Sequence, residues 1–322
     1  MKGELRIGIS GWTYPPWRGR FFPEKWPQKR ELEFASRQVN SIEINGSFYS
    51  LQRPTSYRAW YEATPSDFVF SIKGSRFITH MKRLGDVETP VANFLASGVL
   101  LLREKLGPFL WQLPPNFHYK PERLEAFFKL LPRDTRAAAK LARLHDARLV
   151  DRAWTRTDHN RPLRHALEIR HDSFKNEEFV ELLRKHDIAL VVADTAGKWP
   201  YMEDVTSDFI YARLHGDSEL YVSGYTSEAI AEWTRKIRAW STGKNPSGAV
   251  LHAPRAKPQA KGRDVFVYFD NDVKVRAPYD AMSLAHRLGV GPAPSDAPDA
   301  TLVNETARRH WPAMTRRKEA NR

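Results

Sequence analysis

The chain has 322 residues, 41% of them hydrophobic and 28% charged, a balance that suits a globular protein able to bury a sizeable core. It contains no cysteine, which excludes disulfides, thiolate metal sites, iron–sulfur clusters and cysteine nucleophiles. Its net charge of +13 favours anionic partners. No apolar run approaches the roughly 20 residues of a membrane span, so no membrane contact and a cytoplasmic location are expected.

Taken in chain order, short β-rich runs alternate with helical stretches. Arg6–Ser10 (RIGIS) predicts a first strand, followed by a helix over Pro27–Val39. Ser41–Asn45 predicts a second strand, with a short helix over Ser56–Ala63. Phe68–Lys73 and a helix over Pro90–Lys105 come next. Phe109–Leu113 precedes a helix over Pro121–Leu131, where Leu124, Phe127, Phe128 and Leu131 share one face. His165–Arg170 is followed by an amphipathic helix over Glu177–Lys185. Ala189–Asp194 and Phe209–His215 give the sixth and seventh strands. A helix over Ser227–Trp240, capped by Ser227, leads to Val265–Asp270, and a helix over Tyr279–Leu288 ends the set.

Eight strands alternating with helices predict an α/β fold, a (β/α)8 TIM-barrel-like closed parallel sheet with helices outside. An open doubly wound sheet is the alternative. No G-x-G-x-x-G and no P-loop follows any strand. Residues 1–288 read as one domain. Residues 133–164 and 241–264 read as insertions in connections from helix to strand, which begin on the face opposite the strand ends. Residues 289–322 read as a mobile basic tail. The basic excess gathers in these segments: residues 235–264 hold eight Lys/Arg against one acid, and residues 133–164 hold nine against four.

Side chains two apart share a strand face. Each strand ends with a polar residue on one parity and apolar residues on the other: Ser10, Glu43 with Asn45, Ser71 with Lys73, Gln112, Glu168 with Arg170, Asp194, Arg213 with His215, and Asp270. The apolar set is expected to face the helices, and the polar set to form a ring in the barrel mouth, where barrel enzymes keep their chemistry. Among these, Glu43, Glu168, Asp194 and His215 are candidate proton-transfer residues. Lys73, Arg76, Arg170 and Arg213 would grip phosphate or carboxylate oxygens, with Trp12, Asn45, Gln112 and Asp270 completing a substrate site. The cations compete with a divalent metal for the same carboxylates, so no cofactor is expected and a metal is disfavoured. The structural alternative is a plug of ion pairs that specifies packing. Aromatic residues follow the strands as well: Trp12, Tyr14, Trp17, Phe48, Tyr49, Phe77, Phe117, Phe174, Trp199, Tyr221 and Tyr225.

The segments IGISGW (7–12), IEINGSFY (42–49), FSIK with Arg76 and ITH (70–80), LGPFLWQLPP (106–115), ALEIRH (166–171), Asp194-Thr195, YARLHG (211–216) and YFDND (268–272) occur in this order. Together they resemble the YecE-like family, a bacterial and archaeal domain of unknown function, over roughly residues 5–288. The resemblance implies a TIM-barrel-like fold in a cytoplasmic protein and no established activity. The family is likened to apurinic-endonuclease and sugar-isomerase barrels, which rely on metal clusters. This chain keeps Glu43, Glu168, Asp194, His215 and Asp270 at comparable strand ends but sets Lys73, Arg170 and Arg213 among them. The resulting expectation is an enzyme of hydrolase, lyase or isomerase type acting on a phosphorylated or other anionic small molecule. A nucleic-acid-binding or processing protein and a non-catalytic ligand-binding module are the alternatives.

Overall fold

The computed structural model describes residues 2–216, 223–271 and 275–291. Eight parallel strands close into a barrel in chain order: β1 (Leu5–Ser10), β2 (Ser41–Ile44), β3 (Val69–Lys73), β4 (Leu106–Gln112), β5 (His165–Glu168), β6 (Ala189–Asp194), β7 (Phe209–Leu214) and β8 (Asp264–Phe269). All eight expected strands are present. The fourth begins earlier than expected, because Gly107 and Pro108 are tolerated inside it. A Cβ at Gly107 would stand 2.6 Å from Val69 Cγ1, so glycine permits close approach of β3 and β4, whose register shifts at that point.

The helices are α1 (Glu31–Ala35), α2 (Gly46–Tyr49), α3 (Pro54–Ala63), α4 (Glu88–Ala96), α5 (Pro121–Leu130), α6 (Thr135–Ala142), α7 (Glu177–Lys185), α8 (Ser227–Ser241) and α9 (Ala277–Leu288). Two of these helices depart from expectation, and one connection has no helix. The helix expected over Pro90–Lys105 breaks at Gly98, whose φ of +116° ends α4 and starts a 3-10 turn over Val99–Lys105. The cap of α8 is Thr226, whose hydroxyl accepts from the Ala229 N–H at 3.1 Å, and Ser227 is already helical. No helix joins β6 to β7. The gap in the helical ring is filled by the segment expected as an insertion at 241–264. It packs on the β6–β7 connection through Glu203 N–H to Val250 O at 2.8 Å, and through His252 and Ala253 N–H groups to the Asp204 carboxylate at 3.0–3.1 Å. The segment 133–164 contains α6, capped by Asp134 and packed on α4. Of the expected tail, residues 292–322 lie outside the described residues, as does Tyr221.

Two apolar layers position the site. Ile7, Ile9, Ile42, Ile44, Phe70, Ile72, Val265, Val267 and Phe269 face the helices and are buried with them. Inside the barrel lie Leu110, Ala166, Ala189, Val191, Phe209, Tyr211, Phe266 and Tyr268. This second layer is the floor beneath the strand ends. Two of its members have polar tips, and both are satisfied: the Tyr268 hydroxyl meets Ser41 Oγ at 2.7 Å, and the Tyr211 hydroxyl meets Ser71 Oγ at 2.6 Å.

Candidate functional site

Seven of the eight strands deliver the expected polar parity into the mouth. The exception is β6. Ala189, Val191 and Ala193 belong to the interior layer, so Asp194 continues the face that looks toward the helices. Its carboxylate accepts from the Tyr225 hydroxyl at 3.0 Å. The placement of Asp194 in the mouth ring is therefore corrected. The physical reason lies in the register: Ala193 pairs with Arg213 of β7, and a small side chain there leaves room for the guanidinium.

Arg213 is the centre of the cluster and is fully enclosed. All five of its N–H groups have acceptors. Nε donates to Glu43 Oε2 at 3.1 Å, and Nη2 donates to Glu43 Oε1 and to Asp270 Oδ2, each at 2.9 Å. Nη1 donates to Glu168 Oε2 at 2.7 Å and to His215 Nε2 at 3.3 Å. With Nε2 accepting, Nδ1 is the protonated nitrogen of His215, and it lies 3.1 Å from Asp270 Oδ2. Arg213 thus binds the site together and has no donor left for a ligand, which is not the anion-gripping role expected of it.

The carboxylates are engaged from below and beside. Tyr211 donates to Glu43 Oε2 at 2.6 Å, and Ser10 Oγ donates to Glu43 Oε1 at 2.9 Å. Gln112 and Arg170 donate to Glu168 Oε1 at 2.7 and 2.9 Å. Gln112 therefore orients Glu168. Burial pushes Glu168 toward the neutral acid, but Arg213 and then Arg170 outweigh it and hold the carboxyl well below its usual range. Asp270 is lowered too: burial opposes ionisation, and Arg213 and His215 overcome it. Burial, then Arg213, lowers His215, so it stays neutral. Glu43 and Glu168 remain well placed as acceptors, but each is already spanned by cationic donors. Among the described residues, no group of three or more acidic or histidine side chains is arranged to hold a metal ion.

An outer layer of cations sits above this floor, where three carboxylates outnumber Arg213. Lys73 is buried, with its ammonium 4.5 Å from the centre of the Phe48 ring. Among the described residues it makes no ion pair and no hydrogen bond through Nζ. Burial, and then the charge of Arg213, pull its pKa down to about 8, against the opposing pull of Glu43, Asp270 and Glu168. Arg170 pairs with Glu168 and lies 3.7 Å over the Trp199 ring. Arg76 is exposed at the start of a π-helical turn, Phe77–Met81, a conformation common at functional sites. That turn carries His80, whose Nδ1 lies 2.9 Å from Thr79 Oγ1. Burial, then Lys73, Arg170 and Arg76 in turn, lower His80 to about 4. Burial and the nearby positive charges thus keep this imidazole neutral. Asn45 Oδ1 is buried with no hydrogen-bond partner among the described residues.

The remaining expected residues fall outside this grouping. Trp12 packs edge-on against Trp60 of α3 at 5.4 Å, so it supports the rim. Trp17 is fully buried with Phe21 and Phe22 and belongs to the core. Tyr225 serves Asp194. Ser71 and Phe48, expected in the ring and the aromatic rim, contact Tyr211 and Lys73, whereas Tyr211 and His80 carry parts of the site that no residue in the expected set supplied. Tyr211 was open to the parity argument, since it sits two residues before Arg213 on the same strand face. The roles of Phe48 and His80 depend on how two loops fold back over the mouth, and no spacing encodes that.

A family model described as a protein of unknown function, DUF72, matches residues 6–302. The UPF0759 protein YecE of Escherichia coli strain K12 is 30% identical over 127 residues, covering 39% of this chain and 43% of that relative. The UPF0759 protein YunF of Bacillus subtilis strain 168 is 28% identical over 124 residues, again 43% of the relative. The matched stretch thus spans less than half the length of these curated relatives. Among solved structures, a DUF72 family protein from Thermotoga maritima aligns with a TM-score of 0.67 at 22% identity, over 89% of this chain and 99% of that one. That likeness is one of fold.

Proposed function

The chain belongs to the DUF72 family of proteins of unknown function, and from that premise we propose that its barrel mouth is the active site of an enzyme acting on an anionic small molecule. The observation that carries this reading is the state of Lys73. It is a buried amine at the C-terminal end of β3, with no carboxylate partner among the described residues and a pKa near 8. A solely structural plug pairs its cations, as Arg213 is paired. An amine near neutrality can accept and return a proton, or attack as a nucleophile, close to physiological pH. Arg76 and Arg170 supply the charge that would orient a phosphate or carboxylate next to it. Glu43, Asp270 and Glu168 lie one layer below, where their charges oppose the lowering of Lys73 by burial and Arg213.

The test is a thermal-shift panel on the full chain, using sugar phosphates, nucleotides, 2-oxo acids and their uncharged counterparts. A ligand at a hundred times its dissociation constant adds about 2.7 kcal/mol of stability. The expected result is stabilisation by one anionic class, lost in both Arg76→Gln and Lys73→Met, and turnover of that class that depends on Lys73. Stabilisation that survives both substitutions sinks the assignment. Binding without any turnover favours a ligand-binding module.

A further inference from the structure

The opposite face of the barrel holds a cavity of about 550 Å³. One wall comes from the chain leading into β7, with Val205. Another comes from Arg184 near the end of α7. The segment 243–263 closes it with Pro254, Arg255, Lys257 and Arg263. That segment has no helix or strand, yet it is firmly held. Gly243, with φ +79°, lets the chain pass so close to Gln259 that a Cβ would lie 1.7 Å from its carbonyl oxygen. Asn245 Nδ2 donates to Ala256 O at 2.7 Å, Arg255 Nη1 to Pro246 O at 3.1 Å, and Arg184 Nη2 to Pro254 O at 2.8 Å. The basic insertion is thus a preformed wall, which limits the ordering cost of binding.

The charges in this wall lack counterparts. Arg263 is 1% exposed, and among the described residues it has no ion pair. Its Nη1 and Nη2 donate to the carbonyl oxygens of Lys244 and Lys257 at 3.1 and 3.0 Å, and its Nε has no acceptor. A buried guanidinium without a carboxylate is costly, and a nearby anion would relieve it. Arg255 and Lys257 are exposed at the rim, also without ion pairs among the described residues. The acids that face the cavity are engaged: Asp187 accepts from Ser207 Oγ at 2.7 Å, and Asp208 lies 3.3 Å from Arg164. Arg184 itself pairs with Glu181 at 2.6 Å.

We propose that this cavity binds a phosphorylated small molecule of nucleotide size, its phosphates on Arg255 and Lys257 over the buried Arg263 charge and its apolar body on Val205 and Pro254. The volume exceeds what a lone oxyanion needs and falls in the range of small-molecule sites. Guanidinium and ammonium groups together suit clustered phosphate oxygens. A nucleic acid strand fits less well, because the surrounding basic residues are interrupted by acids. Arg164 is neutralised by Asp208 and Asp264, and Arg6 by Glu4, so these two arginines do not extend a basic track to the cavity among the described residues.

The experiment titrates the full chain with pyrophosphate, with ATP in the absence of magnesium, with adenosine, and with a short single-stranded oligonucleotide, by calorimetry at low and moderate salt. In parallel, acylation of Lys257 is followed by mass spectrometry, with Lys261 as the internal reference. ATP is expected to bind more tightly than pyrophosphate, adenosine not measurably, and ATP to protect Lys257 selectively. The double variant Arg255→Gln, Lys257→Gln is expected to weaken ATP about tenfold or more, while Lys73→Met leaves it unchanged. ATP affinity that is unaltered in the double variant overturns the proposal, as does no binding of either phosphate. Loss of ATP binding in Lys73→Met instead would move the ligand to the mouth, overturning this site and sparing the mouth reading. Oligonucleotide binding tighter than ATP, with a steep salt dependence, would replace the cavity with a nucleic-acid surface.

Discussion

Two enclosed arginines at opposite ends of one barrel stand in opposite electrostatic company. At the C-terminal mouth, Arg213 meets three carboxylates and a histidine, and every N–H group is taken. On the opposite face, Arg263 meets two main-chain carbonyls and, among the described residues, no acid. Burial is the same to within a percentage point. Compensation is not. A charge surrounded by its counter-charges is a structural element, and removing it strands the partners. A charge with only carbonyl dipoles around it is an unfinished site.

The sharpest way to break this contrast is to remove each arginine. Arg213→Met leaves Glu43, Glu168 and Asp270 facing one another in the barrel and is expected to cost about 3–5 kcal/mol in urea unfolding. Arg263→Met loses two hydrogen bonds worth about 1 kcal/mol each but also removes an unpaired buried charge, so a loss below about 2 kcal/mol is expected. Equal losses would mean that Arg263 is compensated by something outside the described residues. Where Arg213→Met fails to fold, Glu168→Gln carries the same comparison. It leaves Arg213 held by Glu43 and Asp270 and should be the milder change.

The two ends also differ in how far the sequence disclosed them. The strand parities that place Glu43, Lys73, Glu168, Arg213 and Asp270 in one ring are local and follow from a period of two. They failed only at β6, where the last polar residue, Asp194, lies on the outer face. The parity there is set by the need for a small residue beside Arg213, a fact held by the partner strand and not by β6. The far-face cavity had no such signal. Residues 241–264 read as a basic insertion, because nothing local reveals that this segment packs where β6 and β7 have no helix between them. The contacts of Glu203 and Asp204 with Val250, His252 and Ala253 span more than forty residues of sequence.

The β6 exception can be tested next. Ala193 pairs with Arg213, and its side chain belongs to the interior layer. Ala193→Leu would push a larger group against the guanidinium, with an expected loss of about 1–3 kcal/mol from overpacking. Asp194→Asn, on the outer face, keeps the shape of a partner for Tyr225 and should cost less. If the order reverses, Asp194 belongs to the mouth after all and the parity of β6 is wrong.

The finest distinction lies within the mouth, between Arg213 and Lys73, two cations whose fields act on each other. Lys73 has a folded-state pKa of about 8 against an ordinary value of 10.5. Between these values the unfolded chain binds more protons at this residue than the folded chain does, so stability rises with pH across that interval. Below pH 8 both states are protonated, and the cost of burying the ammonium is fully present. Glu168 and Asp270, lowered as well, give the same sign in a more acid window: their lowered values contribute stability above the ordinary carboxylate range that is lost as the pH falls through their folded values. Lys73→Met should therefore stabilise the protein by about 1 kcal/mol at pH 7 and flatten the rise from pH 8 to 9.5, before tyrosines titrate, relative to the parent chain. Loss of stability at pH 7, with the rise intact, would place Lys73 among the paired groups of a plug. A gain in stability marks instead a group kept in place against the interests of the fold, as an active amine is.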